Sequence, residues 1–120
     1  MPDLDAHRRK FEKELAAGTT SLVLLAVLAA AEAPMYGYQI AKSLERSGGV
    51  LSGKQSALYP VLRNLAEAGL LSSHVEPSAS GPPRRYYAIT EAGRAVLRDW
   101  AATWTATRRS VDSVLKGVPS

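Results

Sequence analysis

The hydrophobic pattern of this chain changes its period at Gly69, and this change limits the possible folds more than any other feature. Beyond Gly69, residues 70–76 and 84–89 form two segments rich in residues typical of strands. Ahead of Gly69, apolar residues recur at the spacing of one helix face, namely Leu58, Val61, Leu62 and Leu65. The succession predicts a helix followed at once by a hairpin, in a fold that is mainly α with a small two-stranded β-wing.

Three more helices are predicted closer to the N-terminus. Residues 3–17 carry apolar side chains on one side and end at Gly18, which we interpret as a helix stop. Residues 20–32 are apolar nearly all round, which is typical of a central helix, and Pro34 ends them. A third helix is expected over residues 36–47. Three helices followed by a wing predict a winged helix-turn-helix.

The helix ahead of Gly69 is expected to begin near Ser52 and to run to about residue 68. Ser52 and Gln55 have the Ser-x-x-Gln spacing of a capping box, which marks a helix start. Pro60 lies inside this helix and cannot donate the backbone hydrogen bond that would go to Ser56. A bend and a later helix start would both accommodate Pro60, and the sequence leaves both open.

The remaining segments are a loop and a C-terminal helix. Residues 77–83 read Pro-Ser-Ala-Ser-Gly-Pro-Pro, which predicts an irregular loop at the tip of the wing. A last helix is expected over residues 90–116, capped by Thr90. Its apolar residues follow a heptad, which predicts pairing with a second helix. The heptad consists of Leu97, Trp104 and Val111, with Trp100 and Val114 at offset positions.

The length and composition predict one soluble domain over residues 1–120. It would comprise an N-terminal helix (3–17), a winged helix-turn-helix (19–89) and a C-terminal dimerisation helix (90–116). The chain has no Cys, which excludes disulfides and thiolate chemistry and suits a reducing cytoplasm. The apolar run 22–31 has about half the length of a membrane span, so we expect no membrane partner.

A polar and basic face is predicted on the helix ahead of Gly69, opposite its apolar face. The net charge of +4 favours partners that carry phosphate groups. Arg84 and Arg85 follow the expected loop, where guanidinium groups can reach phosphates or a minor groove. The helix face itself bears groups that reach base edges and phosphates, and an ordinary solvated face is the alternative. Its residues are Lys54, Gln55, Ser56, Tyr59 and Arg63.

Three blocks of this sequence, spanning residues 36–93, resemble the PadR family of transcription regulators in order and spacing. The first is Tyr36-Gly37-Tyr38-Gln39-Ile40, and the second is Leu58-Tyr59-Pro60-x-Leu62-x-x-Leu65-x-x-x-Gly69-Leu70. The third is Arg84-Arg85-Tyr86-Tyr87-x-Ile89-Thr90-x-x-Gly93. The chain departs from the family at Ser56-Ala57, where many members have Gly-Thr. Because Ala57 lacks the hydroxyl of that Thr, the family's contact at this position is not carried over. Ser56 is the neighbouring hydroxyl that would take its place.

The resemblance implies a homodimeric repressor that binds a palindromic operator through the fourth helix and the wing. It implies DNA contacts at Gln55, Ser56, Tyr59, Arg84 and Arg85. Tyr36 is a further candidate for a phosphate contact, with a packed aromatic as the alternative. The short C-terminal segment is similar to a subgroup in which the first and last helices form the dimer. The interface would then contain Phe11, Leu15, Leu97, Trp100, Trp104, Val111 and Val114.

Trp100 and Trp104 lie one helical turn apart on the expected dimer seam. In some short-tailed relatives, tryptophans at the dimer centre stack against flat hydrophobic ligands. The resemblance therefore implies a pocket for a small planar or hydrophobic effector, because an indole face offers a large apolar area and suits planar or cationic molecules. Packed interface core is the alternative interpretation of both residues.

No sequence feature indicates catalysis, a metal or a cofactor. His7 and His74 are far apart, and neither has an acidic cluster at metal-ligand spacing. The sequence contains no phosphate-binding loop, nucleophile motif or paired carboxylates, so we expect a regulator and not an enzyme. A winged helix used for protein contacts without specific DNA binding is the second candidate, and it would need an acidic or apolar recognition face.

Overall fold

The computed structural model describes residues 1–47 and 55–120, with the side chains of the second range described from Ala57 onward. Within these residues, helix α1 (Leu4–Ala30) is followed by strand β1 (Met35–Tyr36) and helix α2 (Gly37–Arg46). Helix α3 (Gln55–Glu67), strands β2 (Leu71–Ser78) and β3 (Gly81–Ile89), and helix α4 (Glu91–Lys116) complete the chain. The predicted mainly α fold with a small β-wing is confirmed.

The strands form an antiparallel sheet in the order β1-β3-β2, so β3 lies in the middle. Tyr86 pairs with Tyr36 on one side and with His74 on the other. Tyr87 follows Tyr86 and points to the opposite face, because side chains alternate along a strand. Tyr87 is buried, so its face of the sheet is the inner one and the row through Tyr86 lies on the outer face.

The core lies where the first three helices meet the inner face of the sheet. The helix face predicted ahead of Gly69 is confirmed, since Leu58, Leu62 and Leu65 are buried and Val61 is partly buried. The largest fully buried side chains are leucines and an isoleucine from α1, α2 and α3: Leu24, Leu25, Ile40, Leu44 and Leu62.

The predicted helix stop at Gly18 is wrong, because α1 is continuous from Leu4 to Ala30. Thr19 lies inside the helix and donates its hydroxyl to the Leu15 carbonyl one turn back, at 2.7 Å. Thr20 bonds the Ala16 carbonyl in the same way. A glycine inside a helix costs only about 1 kcal/mol relative to Ala. Burial of the second half of α1 in the core exceeds that cost.

The predicted irregular loop over residues 77–83 is also wrong, because the two strands of the wing continue to a turn at Ala79 and Ser80. The prolines are tolerated for positional reasons. Pro77 lies on the edge strand β2, at a register irregularity between Glu76 and Ser78. Residues 82–83 lie beyond the short β1, where β3 has a neighbour on one side only. The predicted two-stranded wing is likewise extended by β1 to three strands.

Pro60 lies inside α3, which continues through it from Gln55 to Glu67. The capping box predicted at Ser52 and Gln55 lies outside the described residues and side chains.

The start of α4, in contrast, is described in full. Thr90 donates its hydroxyl to the Gly69 carbonyl at 2.7 Å and accepts a bond from the Gly93 amide at 3.0 Å.

Helix α1 is long and apolar enough to cross a membrane by length and composition alone, with a mean hydropathy of 1.5 over its most apolar window. The core helix of a soluble protein meets the same criteria. In this fold Leu24, Leu25 and Leu28 of α1 are buried in the core formed with α2, α3 and the sheet.

Candidate nucleic-acid interface

The Tyr59 ring of α3 lies against the start of α2. A Cβ atom built on Gly37 would stand 2.7 Å from Tyr59 Cε1 and 2.8 Å from its phenol oxygen. The ring therefore occupies the space that any side chain at position 37 would need. Tyr59 remains 42% exposed, and it lies beside a helix N-terminus, whose dipole favours negative charge. The N-terminus of α2, with the Tyr59 phenol beside it, is therefore suited to a phosphate group.

A groove of about 530 Å³ runs between α2, α3 and the wing. Arg63 of α3 and Arg84 and Arg85 of β3 line it, beside the ring of Tyr59. Its described lining residues include no Asp or Glu. The three guanidinium groups favour a polyanion in the groove, while Glu67 lies beside Arg63 and Arg85 and Glu76 pairs with Arg84 across the wing.

The two wing arginines are held by different partners, because consecutive residues of a strand point to opposite faces. Arg84 lies on the outer face, with its guanidinium carbon 4.5 Å from the centre of the Tyr36 ring. Arg85 lies on the inner side and donates a hydrogen bond to the Ser73 hydroxyl at 3.1 Å. Both are exposed. Each is therefore oriented by the protein while its other donors remain free for a ligand.

The outer face of the sheet carries a row of aromatic rings. The Tyr36 ring meets Tyr86 edge to face at 5.4 Å between ring centres, and His74 stacks on Tyr86 at 5.6 Å. His74 Nε2 lies 3.2 Å from a Glu76 carboxylate oxygen. The Tyr36 ring at the end of this row also stacks on Tyr38 of α2, at 6.4 Å between ring centres. Sequence reasoning treated His74 as an isolated surface residue and did not find this stack.

Five of the eight predicted DNA-binding residues lie along the one groove: Tyr36, Tyr59, Arg63, Arg84 and Arg85. Lys54 and the side chains of Gln55 and Ser56 lie outside what the structure describes. Sequence reasoning missed Gly37 and Ser73, which hold Tyr59 and Arg85. The tight Tyr-Gly-Tyr sequence was the available signal for Gly37, because a glycine between two aromatics at a helix start indicates a close approach by another group.

A second groove of about 530 Å³ lies between α1 and α4, on a different part of the molecule. Trp100 and Trp104 line it together with Leu15, Leu22 and the carboxylate-bearing Glu14. Trp100 and Leu97 are partly buried against the core, whereas Trp104 is 42% exposed. Further along both helices, large apolar side chains are exposed: Leu4, Phe11, Val111, Val114 and Leu115.

Comparison with known proteins shows the family of this chain. Residues 24–99 match the model of the PadR-like family of transcriptional regulators. The chain belongs to the PadR-like family. The match includes α2, α3 and the whole sheet, so every described residue of the basic groove lies inside the PadR-like region.

Solved PadR-family structures share the fold over nearly the whole chain. A PadR family transcriptional regulator from Eggerthella lenta is 33% identical, with a TM-score of 0.82, over 96% of this chain and 97% of its own. A PadR-like transcription factor from Bacteroides fragilis is 27% identical, with a TM-score of 0.69, over 88% of this chain and 98% of its own. An uncharacterized protein from Lysinibacillus sphaericus is 26% identical over 99 residues, which are 82% of this chain and 88% of the relative.

Proposed function

We propose that this PadR-like regulator is a homodimeric repressor that binds a palindromic operator. The observation that carries the proposal is the groove in which α3 and the wing present Tyr59, Arg63, Arg84 and Arg85 together. In helix-turn-helix proteins the recognition helix enters the major groove, and neighbouring elements contact the backbone. We assign α3 to the first role and the wing to the second. The family's members are regulators and generally not enzymes.

The proposed contacts divide by chemistry. The Tyr59 phenol and the Arg84 and Arg85 guanidinium groups bind phosphates, which fix the position of the protein on the duplex. Arg63, with Gln55 and Ser56 of α3 and with Lys54, which precedes α3 in the sequence, reaches base edges, which provide sequence selectivity. Because phosphate contacts release counterions, binding weakens steeply as salt increases.

The homodimer is supported by the apolar residues that one chain leaves exposed on α1 and α4. Phe11 is 59% exposed, and Val111 is 50% exposed on the heptad of α4. In the proposed dimer, α1 and α4 of the two copies pack together and cover these residues. The same interface also contains Leu15, Leu97, Trp100, Trp104 and Val114. Two α3 helices then lie about 34 Å apart, which places them in successive major grooves on one side of the duplex.

The groove between α1 and α4 supports an effector site for a small planar or hydrophobic molecule, through Trp100 and Trp104. The exposed face of Trp104 offers stacking area, and Glu14 would favour a positive charge on the ligand. Since α1 also packs against α2 and α3, a ligand that prefers one arrangement of these helices would shift the spacing of the two α3 helices. Quenching of tryptophan fluorescence by a series of planar dyes tests this site, and no quenching by any dye would contradict it.

The experiment that tests the proposed function is equilibrium binding of the purified protein to labelled duplex DNA from upstream of its own gene. Binding is measured by fluorescence anisotropy at two salt concentrations and against a scrambled duplex of equal length. We expect selective binding, with an association constant whose logarithm falls linearly with the logarithm of the salt concentration. Weak binding that is equal for both duplexes would favour the second candidate, a winged helix that contacts proteins.

A further inference from the structure

Tyr36, the N-cap of α2, and Gly37, its first residue, contact both halves of the proposed DNA interface. Gly37 receives the Tyr59 ring from α3, and Tyr36 lies under the Arg84 guanidinium from the wing. The two contacts are independent, because one involves backbone space and the other a ring face. The position of this dipeptide is itself fixed. Tyr36 donates its backbone amide to the Gln39 side-chain oxygen at 3.1 Å, and Met35 and Tyr36 pair with β3.

The contact between Gly37 and Tyr59 sets where the phenol can stand. Every residue other than glycine would bring a Cβ atom within 3.0 Å of three atoms of the Tyr59 ring. These atoms belong to the far end of an exposed side chain, which can swing away into solvent. A substitution at Gly37 is therefore accommodated by displacement of Tyr59 and not by a shift of the backbone. The expected consequence is a loss of DNA contact without unfolding.

The contact between Tyr36 and Arg84 sets the direction of the guanidinium group. A guanidinium stacked on an aromatic face keeps its N–H donors at the edge, where they can bind a phosphate. The Tyr36 ring is held in turn by the edge-to-face contact with Tyr86. A half-buried ring that supports a cation in this way acts through its face. The phenol hydroxyl of Tyr36 is not required for that role.

We propose that Tyr36 and Gly37 are positioning residues that orient Arg84 and Tyr59 toward the DNA backbone. This inference rests on the proposed DNA binding. It differs from the sequence-based expectation for Tyr36, which made its hydroxyl a phosphate contact. It also gives the two residues separate tasks: Gly37 determines the placement of the α3 phenol, and Tyr36 determines the placement of the wing guanidinium.

The Tyr36 role is tested by affinity for the upstream duplex in a double-mutant cycle. We expect Tyr36→Phe to bind like the unaltered protein, because it keeps the ring. Tyr36→Leu removes the ring and is expected to weaken binding by roughly two- to fivefold, as the loss of a cation–π contact predicts. It should also reduce the salt dependence, because the Arg84 contact is loosened. In an Arg84→Ala background, Tyr36→Leu should cause no further loss.

The Gly37 role is tested in the same assay, with Gly37→Ala alone and in a Tyr59→Ala background. We expect Gly37→Ala to weaken binding by roughly five- to tenfold on its own, the effect of a lost phosphate contact. It should cause no further loss when Tyr59 is already alanine. Thermal unfolding of each variant separates positioning from stability. Unchanged midpoints with lowered affinity support the inference.

The outcomes separate this inference from the proposed function. If the unaltered protein does not bind the duplex selectively, the proposed function fails. If Arg84→Ala and Tyr59→Ala weaken selective binding while Tyr36→Leu and Gly37→Ala do not, only the positioning roles are overturned. Additive losses in either cycle would overturn the corresponding role. A Tyr36→Phe variant as weak as Tyr36→Leu would show that the hydroxyl, and not the ring face, is what matters.

Discussion

The basic groove between α2, α3 and the wing differs from the apolar surface of α1 and α4 in how its side chains are held. In the groove, three of the four described side chains proposed to contact DNA are supported by the same chain: Arg84 by Tyr36, Arg85 by Ser73 and Tyr59 by Gly37. On the other surface, Val111 and Val114 extend away from the core, at 50% and 72% exposure. Among the described residues, a single chain therefore supports most side chains of its polar groove and leaves apolar side chains of α1 and α4 uncovered.

We relate this difference to the two partners proposed above, duplex DNA and a second copy of the chain. Charged groups need orientation before binding, because ordering a long side chain costs conformational entropy. Apolar side chains need only a complementary surface that removes them from water. The groove is thus preorganised for a charged ligand, whereas the exposed apolar side chains of α1 and α4 would be covered by the second copy of the chain in the proposed dimer.

The largest expected effect is on the apolar surface, at Val111. Val111→Glu places a charge on the proposed dimer seam, where desolvation of an unpaired carboxylate is costly. We expect the dimer to weaken by at least about a hundredfold, which corresponds to about 2.7 kcal/mol. Sedimentation velocity measures the change. Ser110→Glu adds the same charge at the neighbouring exposed position and is the matched control; if both variants sediment as dimers, Val111 is not on the seam.

A smaller effect, a loss of folding stability, is expected at Gly93. This residue lies in the first turn of α4, where the helix follows the sheet. A Cβ atom there would stand 2.1 Å from the Leu70 carbonyl oxygen and 2.8 Å from Ile89 Cγ1. Since Leu70 contributes a backbone atom, the conflict cannot be relieved by a side-chain rotation. We expect Gly93→Ala to lower the free energy of unfolding by about 2 kcal/mol, measured by urea denaturation. Unchanged stability would mean that α4 moves freely relative to the sheet.

In the basic groove, single contacts are expected to matter less than either of these changes. We expect Arg85→Ala and Tyr59→Phe each to cost about 1 kcal/mol or more in operator binding. Arg85→Ala should also lower the salt slope by about one phosphate contact. Anisotropy titrations at several salt concentrations measure both quantities. Ser73→Ala, which removes only the partner of Arg85, should have a smaller effect; affinities equal to that of the unaltered protein would remove Arg85 and Tyr59 from the interface.

The smallest expected effect is a gain in stability at Gly18. No atom lies within 4 Å of a Cβ built there, and α1 is helical on both sides of the residue. Gly18→Ala is therefore expected to raise the free energy of unfolding by about 0.5 to 1 kcal/mol, the usual difference in helix propensity. Thermal unfolding measures it. A loss of stability would indicate that α1 bends at Gly18 or that a second copy packs closely against it.

The sequence predicted the elements whose patterns are local. The spacing of Leu58, Leu62 and Leu65 predicted the buried face of α3, and Thr90 predicted the start of α4. It was wrong at Gly18 and over residues 77–83, because tertiary contacts outweighed residues that usually break helices and strands. Helix and strand propensities are of order 1 kcal/mol or less per residue, and burial of neighbouring segments can exceed them.

The sequence by itself determined the family, the succession of a helix, a hairpin and a last helix around Gly69, and the side chains that can bind a polyanion. These depend on residue types and on spacings along the chain, which are fixed before folding. Only the tertiary structure decided that Tyr36 supports Arg84, that Gly37 receives Tyr59 and that His74 stacks on Tyr86. Each of these contacts joins residues that are distant along the chain or lie on different strands, and their distances depend on how helices and sheet pack together.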